Sequence, residues 1–372
     1  MKISHGQSFF FVEKNGINGL LKEKYQGVVI NGDSIRQGNY YYYYDNGRIN
    51  QEGYYKDGKP DSVWLTYFPT GARKSVVAYR YGLKEGSFTF WNPDGTLYQT
   101  GTYHGNKPEG DLITYHSNGM ADTKSAYRDG VLNGLTEVYT INGQPQLISE
   151  YRNDTLNGVW RTFYETGELN YSGTKFKGKY TDTLYTYYKS GKVLRKAYYV
   201  DGVVDGVLIG YFESGNVNVV SHFDRGVRQG DYVEFFENGN VLERGQYLND
   251  GKEGEWRSFY PDGQTHSKGV FTHGELEGLW KIYHENGQLK QVGEYRGGKA
   301  CGSWYYFGKD GNLLLSGLYI DDKFNGIWTT LYPNGSVAGR ILYWNGKPAV
   351  VKWLYDANAI LTRQFIPSTG VN

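Results

Sequence analysis

Tyr283-His284-Glu285-Asn286-Gly287-Gln288-Leu289-Lys290-Gln291-Val292-Gly293-Glu294-Tyr295-Arg296-Gly297-Gly298-Lys299-Ala300-Cys301-Gly302-Ser303-Trp304 decides the fold of this 372-residue chain. Asn286-Gly287 stands between strand-like runs, and a second turn containing Gly298 follows eleven residues after Gly287. Asn-Gly in that setting is the strongest short-range hairpin signal. Working outward, Gly47, Gly71, Gly95, Gly119, Gly143, Gly167, Gly191, Gly215, Gly239, Gly263, Gly287, Gly311 and Gly335 are spaced by 24 residues, thirteen copies without an insertion or deletion. Such an array is one supersecondary unit stacked on itself, and it is read first as a surface rather than as a catalytic pocket.

Positions can be counted from the tip glycine. The residue before it is Asn or Asp in nine copies, and the residue two before it is Pro69, Pro93, Pro261 or Pro333 in four. Proline pre-sets φ for the second residue of a type I turn, and a following left-handed glycine completes a three-residue loop with a bulge. Eleven after the tip, Gly occurs in nine copies and Asn106, Asp154, Asp250 or Asp322 in the rest; four later Gly returns in eleven copies, with Ser62 and Asp182 the exceptions. These residue types tolerate positive φ, so backbone geometry selects them. Two turns per repeat leave two strands of roughly seven residues, joined as an antiparallel meander.

The aromatic residues fall in rows. Four before the tip stand residues such as Tyr43, Tyr67, Phe163, Phe235 and Tyr283; eight after it stand Tyr55, Tyr79, Tyr247 and Tyr295, with Lys175 the lone break. Six after the tip, small residues dominate, as at Gly101, Ser125, Gly173, Gly245 and Gly293. Plain alternation from a three-residue loop puts these rows on one packed face, together with aliphatics two after the tip such as Leu97, Leu169, Val241 and Leu289. It puts the Trp-rich row seven before the tip (Trp64, Trp160, Trp256, Trp304) on the opposite face, with an uneven row three before it. In that uneven row Tyr164, Tyr188, Phe212, Phe236 and Tyr260 are consecutive, with Trp160 and Trp256 on the same expected face. Exposed aromatic patches mark binding surfaces, and these seven residues are the candidate partner-binding surface. Lys175 and Asp182 break the consensus inside this stretch and mark either a local bend or a recognition feature.

The expected fold is all-β: tandem 24-residue hairpin repeats forming one long twisted antiparallel meander sheet, elongated and without a helical domain. Strands ~4.8 Å apart would spread thirteen hairpins over about 125 Å. Residues 1–35 read as irregular N-terminal capping hairpins, in which Phe9 to Gly16 copies a tip out of register. Residues 36–347 hold the thirteen repeats. Residues 348–372 read as a capping half-repeat, with Val350, Tyr355 and Ala359 in phase before Phe365 and Pro367.

Composition agrees with an aromatic ladder rather than an aliphatic core: hydrophobic residues are 39% of the chain, with 37 Tyr and 17 Phe. Lys plus Arg number 40 against 39 Asp plus Glu, and no block of like charge occurs along the sequence, so the footprint of a nucleic-acid binder is missing. A single cysteine, Cys301, excludes an intramolecular disulfide. No run approaches ~18 apolar residues, and no signal-peptide pattern opens the chain, so no integral membrane segment is expected. The expected compartment is the cytoplasm by default, or the exterior if a leader has been removed.

The stretch Gly293 to Trp304 resembles the MORN repeat, and it is more similar to the bacterial variant whose proteins are often labelled antitoxin-like. The resemblance covers about residues 36–347. It implies the hairpin-repeat fold and a scaffold, a membrane-proximal module or an enzyme appendage; the antitoxin-like label implies a protein partner and identifies none. The period is 24 rather than the common 23, and no methyltransferase or kinase pattern accompanies the repeats.

Chemistry is sparse. His116 and His284 share a phase but lie seven repeats apart, so they cannot share a metal. No serine sits in a nucleophile elbow, Cys301 has no histidine at a fixed spacing, and Asp321-Asp322 is a solvated turn pair. No catalytic residue, cofactor or metal is expected, and the chain is not expected to be an enzyme. The leading reading is a non-catalytic scaffold that binds a protein partner through an extended aromatic sheet face. The alternatives are a glycan- or cell-wall-binding aromatic ladder and a peripheral lipid-binding module; near-zero net charge argues against the latter.

Overall fold

The computed structural model describes residues 8–17, 19–358 and 360–365, and every regular element among them is a β-strand. The chain divides into two units, Met1–Thr181 and Asp182–Asn372. Within each unit, consecutive strands pair antiparallel, as Ile49–Lys56 with Lys59–Tyr67 in the first and Gly251–Phe259 with Thr265–Thr272 in the second.

The tips form the expected three-residue loop. The Tyr44 N–H donates to the Arg48 carbonyl at 2.8 Å, and the Gly47 N–H donates back to the Tyr44 carbonyl at 3.0 Å, with Gly47 at φ +78°. The second turn is tighter than the sequence implies. Both of its central residues are left-handed, as at Asp57 (φ +53°) and Gly58 (φ +75°), which makes it a two-residue type I′ hairpin. Its first central position is Asp, Asn or Gly in nine repeats and holds Tyr81, Lys177, Arg225 and His273 at positive φ in the other four.

A second bulge overturns the expected faces. Tyr43 faces Ile49, but Tyr42 faces Gln51, so the residue three after the tip is an extra one. The same shift recurs at Phe259 and Tyr283. A one-residue slip moves every later side chain to the other face. The Trp-rich row therefore pairs with the small row, Trp64 with Val77 and Trp304 with Gly317, while Tyr67 pairs with Arg73 on the outer face. The row four before the tip and the aliphatics two after it are outward, and the row seven before it is the core.

Each unit has its own one-sided ladder. In the first, Tyr40, Trp64, Val77 and Phe88 are buried; in the second, Leu184, Ala197, Trp256, Ala300, Trp304 and Trp328 are. Trp64, Trp256 and Trp304 meet rings eight after the tip edge-on: Tyr55–Trp64 at 5.1 Å, Tyr247–Trp256 at 5.2 Å and Tyr295–Trp304 at 5.1 Å between centroids. Glycine permits this close approach. A Cβ on Gly53 would lie 2.3 Å from the Trp64 ring, and one on Gly293 would lie 2.0 Å from that of Trp304.

Tyrosine hydroxyls are drawn into these ladders. Burial, then Glu23 for Tyr40 and Glu234 for Tyr232, pushes both hydroxyls well above the ordinary tyrosine value; burial does the same for Tyr306. On the outer face, burial and a hydrogen bond to Glu52 push Tyr67 up to about 12. A folded value above the unfolded one near 10 means that the neutral form is favoured by the fold. This contribution is fully present below about pH 10 and is lost as pH rises towards the folded values. Urea midpoints measured across this range are expected to fall above about pH 10, and Tyr67→Phe is expected to flatten part of that fall.

The N-terminal segment forms the same hairpin rather than an irregular one. Ser8–Asn15 pairs with Leu21–Ile30, and the loop closes between Gly16 and Leu20 with Gly19 at φ +76°. Gly19 therefore takes the tip conformation expected of Gly16. At the other end Leu361–Phe365 pairs with Lys347–Tyr355, whereas Ala359 and Pro367 of the expected cap lie outside the described residues.

Candidate interaction surface

The aromatic residues singled out in sequence lie on the packed side, not on an open face. Trp256 is 2% exposed, held between Tyr247 and Phe271, with the Lys252 ammonium 3.9 Å above its ring. This removes it as a surface residue. Trp160 is half-buried in the first unit, 5.3 Å from Tyr180. Tyr164 is half-buried there too, and Tyr188, Phe212, Phe236 and Tyr260 are half-buried in the second.

The uneven row staples one tip to the next. The Tyr188 hydroxyl donates to the Tyr211 carbonyl at 2.8 Å, and Tyr260 donates to that of Tyr283 at 2.8 Å. His116 and His284 do the same through Nε2, to Tyr139 at 3.0 Å and Phe307 at 2.9 Å, which explains their shared phase. The asparagine before the glycine adds a second staple, as from Asn238 to the Pro261 carbonyl at 2.8 Å. Phe212 and Phe236 fill the same place in the row without a donor, so the staple is made only where the row holds Tyr or His.

The type I′ turns are stapled as well. Where the second central residue is Asn or Asp, its side chain accepts an N–H from the preceding repeat: Lys84 to Asn106 at 2.8 Å, Leu132 to Asp154 at 2.8 Å, Arg228 to Asp250 at 2.8 Å and Ala300 to Asp322 at 2.7 Å. Asp322 is thus an exposed turn carboxylate that also caps the preceding repeat. The break at Lys175 is a compensated exchange: its ammonium lies 4.7 Å from the Trp160 ring and 4.5 Å from that of Tyr180, which supplies the missing ring. Asp182 adopts the glycine conformation, φ +62°.

What remains open is the outer face. In the second unit it carries exposed apolar side chains, among them Val270, Leu279 (51% exposed), Leu318 and Ile327 (50% exposed). Two grooves cross it. One of about 500 Å³ is lined by Asp231, Val233, Arg244, Gln246, Glu255 and Arg257, with Tyr232 and Gly245 at its floor. The other, of about 220 Å³, is lined by Glu255, Lys268, Val270, Leu279 and Lys281 beside Gly269. Gln246 donates to Asp231 at 3.0 Å, and the Arg257 guanidinium pairs with Glu255. That pairing, with Lys268 and Arg244 nearby, holds the Glu255 carboxyl below the usual glutamate value. Sequence reasoning missed this face because the bulge decides which residues occupy it.

No group of His, Cys, Asp and Glu able to hold a metal occurs among the described residues. No helix among them is long and apolar enough to cross a membrane.

The family model described as MORN repeat variant matches residues 36–57, 84–104, 156–174, 183–201, 228–249, 252–273, 276–296 and 324–345. No curated protein matches the chain. Among solved structures, the crystal structure of TcdB2-TccC3 is 13% identical over 93% of this chain and 24% of that one, with a TM-score of 0.17. The Photorhabdus luminescens Tc holotoxin pore is 12% identical over 95% of this chain and 24% of that one, with a TM-score of 0.14. This chain spans about a quarter of the length of those chains.

Proposed function

This chain is a MORN-repeat protein, and from that premise we propose that it is a non-catalytic repeat scaffold that binds a protein partner through the outer sheet face of its second unit. The observation that carries this reading is the contrast between the two faces. The inner aromatic ladder is satisfied by its own rings, while the outer face leaves Leu279 half exposed at a groove and Ile327 half exposed further along the same face. Apolar side chains rimmed by polar ones are the usual make-up of a protein-binding patch. A repeat array suits the role, because each hairpin adds surface without rebuilding a core.

The test is a comparative pull-down from the source cell with the intact chain and two variants, each first shown to be folded by circular dichroism. Leu279→Asp/Ile327→Asp is expected to lose a protein that Tyr188→Ser/Phe212→Ser/Phe236→Ser retains. Loss from the second variant alone would return the contact to the tip aromatics. Recovery of a polysaccharide or of vesicles in place of a protein would overturn the reading.

A further inference from the structure

Arg244, Arg257, Lys268 and Lys281 are 13, 11 and 13 residues apart in the chain, yet the sheet makes them a continuous row. Arg244 is paired in register with Arg257, Arg257 with Lys268, and Lys268 with Lys281. Directly opposed residues share a face, so all four cations project from the outer surface about 5 Å apart. The row ends on Val233 at one side and Val292 at the other. Like charges placed directly opposite are destabilising, and this fold places four in succession.

The surrounding acids compensate in part. Glu255 pairs with Arg257, Asp231 accepts from Gln246, and the Glu294 carboxylate leans over Gly302. Val270 and Leu279 stand beside Lys268 and Lys281, with Glu255 the one acid lining the same groove. All four cations line the two grooves, which meet at Glu255. On the other side Arg244 lies 5.4 Å from the Phe259 ring centre and Lys268 lies 5.8 Å from that of Tyr283.

We propose that this cationic row is the docking site for an acidic, extended segment of a protein partner, with acids set against the four cations and apolar residues against Val270 and Leu279. The proposal deepens the scaffold reading and rests on it. Three strand spacings give a row of about 14 Å, matched by roughly five extended residues. Glu255 in the middle of the row selects against a continuous anionic surface or polyanion, which would meet its carboxylate everywhere. A peptide can set a backbone N–H there. The apolar flanks likewise have no counterpart in a bare phosphate chain.

The experiment is fluorescence anisotropy on the full chain with a labelled Glu-Leu-Glu-Val-Glu-Leu-Glu peptide and its Gln-for-Glu counterpart. The acidic peptide alone is expected to bind, and more weakly as salt rises. Arg244→Gln/Lys268→Gln/Lys281→Gln is expected to bind it about tenfold more weakly, since each partly exposed charge contributes a fraction of the energy and a tenfold change needs about 1.4 kcal/mol. The urea midpoint of this variant is expected to be unchanged or higher, because a like-charge ladder has been removed. Lys268→Gln/Lys281→Gln is the second variant should the triple one not fold. Lys196→Gln, an isolated cation in the corresponding row, is expected to leave affinity unchanged. Equal binding of the acidic peptide by all variants would overturn the proposal, as would phosphatidylserine vesicles that bind through the row when the peptide does not. If partner capture still depends on Leu279 and Ile327 in that event, the scaffold reading stands without this inference. If capture fails as well, both fall.

Discussion

Trp304→Ala is expected to cost about 3–5 kcal/mol, the range for truncating a buried aromatic residue. Trp304 is 2% exposed and forms a cluster with Ala300 and Trp328. Its ring meets Tyr295 at 5.1 Å and Tyr319 at 5.4 Å, and its Nε1 donates to the Cys301 carbonyl at 3.1 Å. Truncation removes those ring contacts, opens a cavity beside Gly293 and leaves that carbonyl without its donor. The sheet is a single layer here, so no second layer can collapse into the gap. In a repeat array stability is a sum of local and neighbour terms, so the loss should be confined to hairpins around Trp304. Hydrogen exchange should therefore show reduced protection in Leu289–Arg296 and Lys299–Phe307, with Ile49–Lys56 of the other unit unchanged. Uniform loss of protection along the chain would contradict a locally assembled ladder.

Gly293→Ala is expected to cost about 1–3 kcal/mol through overpacking, although it adds one methyl group. That methyl would sit 2.0 Å from Cδ2 of Trp304, against the rigid middle of an indole rather than the end of a flexible side chain. The chain contains the remedy elsewhere. At the equivalent position Ala197 is tolerated at 2% exposure because it pairs with Leu184 on one side and Leu208 on the other. Gly293→Ala/Trp304→Leu should thus lose less than the sum of its single changes, with a coupling of about 0.5–3 kcal/mol in a double-mutant cycle of urea unfolding. Additivity would mean that glycine is present for a reason other than the ring above it.

The tyrosine and cation results carry the same lesson. The expected loss of stability above about pH 10 depends on hydroxyls buried in the ladder, and the acidic-segment proposal depends on which residues the register sets side by side. Both are consequences of facing rather than of composition. Arg244, Arg257, Lys268 and Lys281 do not form a block of like charge along the sequence, and only strand pairing turns them into one. The facing of the Trp-rich row has the same origin: plain alternation places Trp256 and Trp304 outward, and the extra residue after each tip turns them inward.

The sequence by itself determined the hairpin unit, its 24-residue period and the places where the backbone turns. Positive φ excludes most side chains, so Gly47, Gly58, Asn106 and Asp322 announce their conformations by residue type. The tertiary structure alone decided the faces. The bulged residue three after the tip is Asn50, Lys74, Tyr98, Leu242, His266 or Lys290 in different repeats, a set with no common chemistry. Its extra length is accommodated by pairing, Tyr42 with Gln51 and Tyr43 with Ile49, and packing of Trp against Gly holds that register in place. A turn that needs left-handed backbone writes itself into the residue types, whereas a bulge that any residue can adopt is set by what the two strands bury once they meet.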